Sequence, residues 1–112
     1  MATPHLLSVL TLTGEPIKDL TGDPIGELKD FMIDTTNGRI AYGVLSFGGL
    51  LGMGEKLFAV PWEAIQLDEK NKQLLLDVDK ERLKAAPGFD KDHWPNFTDS
   101  SFTARVRAYF QH

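Results

Sequence analysis

The chain has 112 residues, a formal net charge of −4 and a pI near 5.2, and 42% of it is hydrophobic. That length suits one domain with one core, and seven Phe with two Trp argue against a disordered chain. The acidic balance works against nucleic acid or an anionic membrane surface as partner, since Lys80, Arg82, Lys84, Arg105 and Arg107 are interspersed with apolar or acidic residues rather than massed.

In chain order, Ser8-Val9-Leu10-Thr11-Leu12 alternates apolar and polar positions, the two-residue period of a half-buried strand, and Gly14 ends it. Pro16 to Leu20 reads as a short extended piece. Thr21-Gly22-Asp23-Pro24 then carries the residue types of a tight reversal. Ile25 to Asp34 reads as a long strand in which Leu28 and Met32 share one face and Phe31 and Ile33 the other. Strict alternation fails there, which predicts a bulge or burial on both sides. Asn37-Gly38 supplies the positive φ of a hairpin turn.

Arg39 to Phe47 is the second arm, apolar on both faces and therefore expected to be central. Gly48 to Gly54 is a glycine-rich loop containing Leu50, Leu51 and Met53. Lys56 to Val60 resumes the β pattern, and Pro61 interrupts it. Ala64 to Leu67 and Gln73 to Val78 form a further strand pair. About six short strands without a long helix between them predict a mainly β fold, an antiparallel sheet closing into a small barrel. Asp79 can cap a helical turn over Lys80 to Ala86, which Pro87 and Gly88 end. Gly88 to Asn96 is irregular, and Asp99 or Ser100 can cap a C-terminal helix reaching Tyr109 or Phe110. Its stripe of Phe102, Val106, Tyr109 and Phe110 must cover either its own barrel or another chain.

Motifs for chemistry are sparse. Zero cysteines exclude disulfides, thiolate metal sites and cysteine nucleophiles, and fit a reducing, cytoplasmic setting. Met1 to Leu12 lacks the basic start and long apolar core of a signal peptide. No stretch approaches the roughly twenty apolar residues of a membrane span, so no membrane insertion is expected. The glycines at 48, 49, 52 and 54 do not make a phosphate loop, because Lys56 is followed by Leu57 and a strand rather than by Ser or Thr and a helix. His5, His93 and His112 lie far apart, and only His93 has neighbouring carboxylates, Asp90 and Asp92. Asp19, Asp23, Glu27, Asp30 and Asp34 make the first third acidic. Asp30 stands out because apolar neighbours in a strand could bury part of it, with a bond to turn backbone as the structural alternative. No Ser lies in a nucleophile-elbow motif. Neither catalytic residues, nor a cofactor, nor a metal is expected.

An ordered series of segments carries a family resemblance: Gly22-Asp23-Pro24-Ile25-Gly26-Glu27-Leu28-Lys29-Asp30, Ile33-Asp34, Asn37-Gly38-Arg39-Ile40-Ala41-Tyr42, Phe47-Gly48-Gly49, Ala59-Val60-Pro61-Trp62 and Leu83-Lys84-Ala85-Ala86-Pro87. The series resembles the PRC-barrel. That family includes the cytoplasmic domain of the photosynthetic reaction centre H subunit, the C-terminal domain of a ribosome-maturation factor and many stand-alone bacterial proteins. The resemblance implies a six-stranded barrel over residues 1–88 and a role in assembly, not catalysis. Neither the membrane helix of the first relative nor the preceding domain of the second is expected here, so their partners are not expected to carry over.

Residues 89–112 form a C-terminal extension whose aromatics are similar to those of stand-alone members, for which a homodimer is the implied assembly. The expected interface is Leu50, Leu51, Met53, Trp94, Phe97, Phe102, Val106, Tyr109 and Phe110. The competing expectation is a small-ligand or metal-binding protein using the strand near Asp30 or the Gly48 to Gly54 loop.

Overall fold

A computed structural model gives the architecture, and it describes residues 8–47, 56–68, 71 and 73–110. One sheet organises the chain, built from β1 (Pro16–Lys18), β2 (Pro24–Asp34), β3 (Arg39–Phe47), β4 (Lys56–Pro61), β5 (Ile65–Asp68), β6 (Gln73–Leu76) and β7 (Gly88–Phe89). Among the described residues three helices accompany it: α1 (Val9–Leu12), α2 (Lys80–Lys84) and α3 (Ser100–Phe110). A 3-10 turn over Trp62–Ala64 connects β4 to β5.

The strand order is β5-β6-β1-β2-β3-β4-β7. Every neighbouring pair is antiparallel except β1 and β6, which run parallel with Ile17 opposite Leu74. The expectation of six antiparallel strands closing into a barrel therefore differs from the described sheet in three respects. There are seven strands, the sheet is mixed, and it has edges at β5 and β7. The parallel pair arises because β1 lies between β2 and β6, so the β5–β6 hairpin returns to the start of the sheet. Nothing in a strand's own residues encodes which distant strand it meets.

The first expected strand is instead α1. The amides of Thr11 and Leu12 both donate to the Ser8 carbonyl at 3.1 Å. Val9 and Leu12 also stand three residues apart, on one face of a helical turn, so the apolar pattern fits both periods. The place beside β2 is taken by the residues that follow: Gly14 donates to the Leu28 carbonyl at 2.6 Å, and Leu28 donates to that of Glu15 at 2.9 Å. The reversal before β2 is built on Asp19, whose Oδ1 accepts from the amides of Thr21 and Asp23 at 2.9 and 3.0 Å.

β2 carries the expected irregularity, with register shifts between Leu28 and Asp30 and between Met32 and Ile33. The β2–β3 connection is a four-residue loop, since Asp34 pairs with Arg39. Gly38 provides the positive φ of 73° and donates to the Asp34 carbonyl at 2.8 Å. β3 is interior, and Tyr42 through Ser46 are all buried, as apolar content on both faces requires. β4 is buried from Leu57 to Pro61 and continues to Pro61 rather than breaking before it.

Asp79 caps α2 by accepting from the Arg82 amide at 2.8 Å. A two-residue strand then follows where irregular chain was expected. Phe89 pairs with Leu57 and Gly88 with Phe58. Two residues are too short to show a period of two, which is why pattern alone does not reveal β7. α3 packs against β4, and Phe102, Val106 and Phe110 are 8, 0 and 5% exposed in one core with Ile17, Leu28, Phe58 and Leu83. Among the described residues no helix is long and apolar enough to cross a membrane.

Candidate functional site

The segment between β7 and α3 is held by short polar turns. Asp90 Oδ1 accepts from the Asp92 amide at 3.0 Å and lies 2.7 Å from His93 Nδ1. Asn96 Oδ1 accepts from the Thr98 amide at 3.0 Å and from its hydroxyl at 2.6 Å. Asp99 Oδ1 then accepts from the Ser101 amide at 2.9 Å and starts α3.

These turns bring five rings together. Phe97 lies 5.6 Å from Tyr42, 6.4 Å from Phe89, 6.4 Å from Trp94 and 5.6 Å from Phe102, between ring centroids. Trp94 closes the cluster against Phe89 at 5.1 Å. Distances of 4.5–7 Å are those of favourable tilted and edge-to-face pairs, each contributing roughly 0.5–1.5 kcal/mol beyond burial. Trp94 is held by two rings and is still 40% exposed.

The nine expected interface residues thus divide. Leu50, Leu51 and Met53 lie outside the described residues, as does the whole Gly48 to Gly54 loop. Phe102, Val106 and Phe110 are buried in the chain's own core. Tyr109 is half-buried and joins α3 to α2: its hydroxyl donates to the Arg82 carbonyl, and Arg82 Nη2 donates to the Tyr109 carbonyl at 3.0 Å. The Arg82 guanidinium lies over the Tyr109 ring, 5.0 Å from its centre. Phe97 is half-buried at the hub of the rings, and Trp94, 40% exposed, is the most exposed of the described members of the set.

Asp30, the acidic candidate, is exposed at a register shift of β2, where its Oδ1 accepts from the Phe31 amide at 2.7 Å. It takes the backbone-bonding role. Among the described residues no group of three or more His, Asp or Glu lies close enough together to hold a metal ion.

Beside the rings lies a groove of about 450 Å³. Its walls come from the end of the β2–β3 hairpin (Met32, Ile33, Asp34, Thr35, Thr36, Ala41, Tyr42), from Phe97 and Thr98, and from Arg107 of α3. Arg107 donates from Nη1 to Glu63 Oε1, and its guanidinium sits 5.4 Å from the centre of the Tyr42 ring. Burial opposes ionisation of Glu63, but its own backbone amide and Arg107 more than offset this and hold the carboxyl below its ordinary value. Glu63 in turn raises the pKa of Arg107, which stays cationic.

Local sequence pattern does not single out Ile33, Tyr42 or Arg107 as groove residues. In sequence Arg107 is one of several cations interspersed with apolar or acidic residues. Its pairing with Glu63, 44 residues away, has no local signature. The only sequence signal was Tyr42 inside the family-like segment Asn37 to Tyr42.

A comparison with curated proteins finds none that matches. The model of the PRC-barrel domain matches residues 7–83. The matched stretch contains β1 through β6 and most of α2, and leaves β7, the ring-forming segment and α3 beyond it. On that match over more than half of its length, the chain belongs to the PRC-barrel domain family.

Proposed function

We propose that this PRC-barrel domain is a non-catalytic assembly module that pairs with a second copy of itself through the surface around Trp94. The observation that carries the reading is the placement of Trp94: fixed by Phe89 and Phe97, yet 40% exposed. A rigid, part-exposed Trp loses little conformational entropy on docking, and Trp is enriched at the energetic centres of interfaces. Polar groups near it support the same reading. The Asp90–His93 pair is on the open surface rather than in a cleft, where an acid–base pair would need to meet substrate.

Sedimentation velocity over a range of protein concentrations tests the proposal. The chain should sediment as a monomer–dimer equilibrium, and Trp94→Ala should shift it toward monomer by about tenfold in Kd while circular dichroism stays unchanged. A chain that remains monomeric at high micromolar concentration overturns the proposal. So does a dimer indifferent to Trp94→Ala.

A further inference from the structure

We infer that the groove between the β2–β3 hairpin end and α3 binds a small organic monocarboxylate with an apolar body, its carboxylate on Arg107. The inference is separate from the Trp94 surface, since Trp94 does not line this groove.

Three features converge. The volume, about 450 Å³, falls within the roughly 300–1,000 Å³ of small-molecule clefts. The walls are apolar along Met32, Ala41 and Phe97, and Ile33 is 58% exposed at the rim, an apolar side chain with no core role. The cation is held in place: Arg107 keeps 40% of its side chain exposed although Glu63 and the Tyr42 ring fix its guanidinium. A guanidinium carries five N–H donors in a planar fork, so its capacity exceeds the bonds that it makes to the Glu63 and Tyr42 side chains. A carboxylate is the anion whose two oxygens match that fork.

The charge of the ligand follows from the remaining walls. Among the described residues Arg107 is the one cation lining the groove, and Asp34 places a carboxylate in the same wall. With a net charge of −4 on the chain, a second negative charge on the ligand meets repulsion rather than a partner. The thread Thr35, Thr36 and Thr98 adds hydroxyl-bearing residues but no charge. One anionic head and an apolar tail is the combination that these walls complement.

The test is a titration of the full ¹⁵N-labelled chain with hexanoate, hexylammonium and adipate, read by amide chemical shifts. Hexanoate should give saturable shifts at residues 32–36, 41–42, 97–98 and 107. Hexylammonium should give none that saturate, and adipate should bind more weakly than hexanoate. Arg107→Gln should weaken hexanoate by about tenfold or more. Glu63→Gln, a change at an exposed side chain, should tighten it by about threefold, because it removes a competing carboxylate from the same guanidinium. The second variant keeps the inference testable if Arg107→Gln does not fold. Saturation by hexylammonium equal to that by hexanoate overturns the inference. Absence of saturable shifts, shifts confined to another surface, or a Glu63→Gln chain that binds hexanoate no better would also overturn it.

Discussion

At the scale of single residues, two glycines illustrate different constraints. Gly38 has a φ of +73° in the hairpin loop with open space around it, so a side chain there meets strain alone. Gly26 has a φ of +155°, and a Cβ added to it would lie 2.5 Å from the Ser46 carbonyl oxygen in the neighbouring strand. Strain and a backbone clash combine there, and neither atom is the end of a flexible side chain. Gly26→Ala is expected to cost about 2 kcal/mol or more and Gly38→Ala about 1 kcal/mol. Urea denaturation of the two variants checks this: equal midpoints, or Gly38→Ala the less stable, would contradict the close approach of β2 to β3. Gly26 stands in the segment Gly22 to Asp30 that carried the family resemblance, and the geometry supplies a physical reason for glycine at that place.

The Glu63–Arg107 pair makes a second prediction at this scale. The carboxyl of Glu63 is held below its ordinary value of 4.5 in the folded chain. A lowered folded-state pKa gives stability that is fully present above 4.5 and is lost as pH falls through the lowered value. Glu63 is more than half exposed, which limits the contribution to on the order of 0.5 kcal/mol. Glu63→Gln should therefore destabilise slightly at neutral pH and converge with the parent chain at acid pH. Thermal unfolding at pH 7 and near pH 3 reads the difference; an equal gap at both would remove the pair as its origin.

At the scale of elements, α3 is part of the domain's own core. Its apolar stripe was legible from spacing, because Phe102, Val106 and Phe110 recur at helical intervals, and Asp99 announced the start. What the stripe covers was not legible, since an amphipathic helix carries no record of which apolar surface it meets. The same limit explains the other departures. β2, β3, the β5–β6 hairpin and the Asp79 cap follow from local pattern and turn chemistry. α1, β7 and the parallel β1–β6 pair depend on where distant backbone leaves a place. The Tyr109–Arg82 clasp and the groove at Arg107 are likewise products of long-range packing, which local pattern does not carry. A chain ending at Phe97 should lose cooperative unfolding, since it uncovers the β4 face on which Val106 is fully buried. Near-ultraviolet circular dichroism and dye binding measure this; a truncated chain with an unchanged melting transition would show α3 to be dispensable to the core.

At the scale of the whole molecule, net charge sets how the proposed self-association must respond to salt. Two copies each carrying −4 repel one another as they approach. A contact centred on Trp94 gains from apolar burial, which added salt does not screen, whereas the repulsion between like-charged chains is screened. Raising sodium chloride from about 0.05 to about 0.5 M shortens the Debye length from roughly 14 to roughly 4 Å, below the span of a docking surface. The dimer should therefore strengthen with salt. An interface built on ion pairs, for example one using Lys80, Arg82 and Lys84 of the α2 region against the acidic turn at Asp19 and Asp23 of a second copy, predicts the opposite slope. Sedimentation equilibrium at three salt concentrations distinguishes the two. A dissociation constant that falls as salt rises, with the trend retained but the affinity reduced in Trp94→Ala, assigns the contact to the aromatic surface. A dissociation constant that rises with salt assigns it to charged surface and removes Trp94 as its centre.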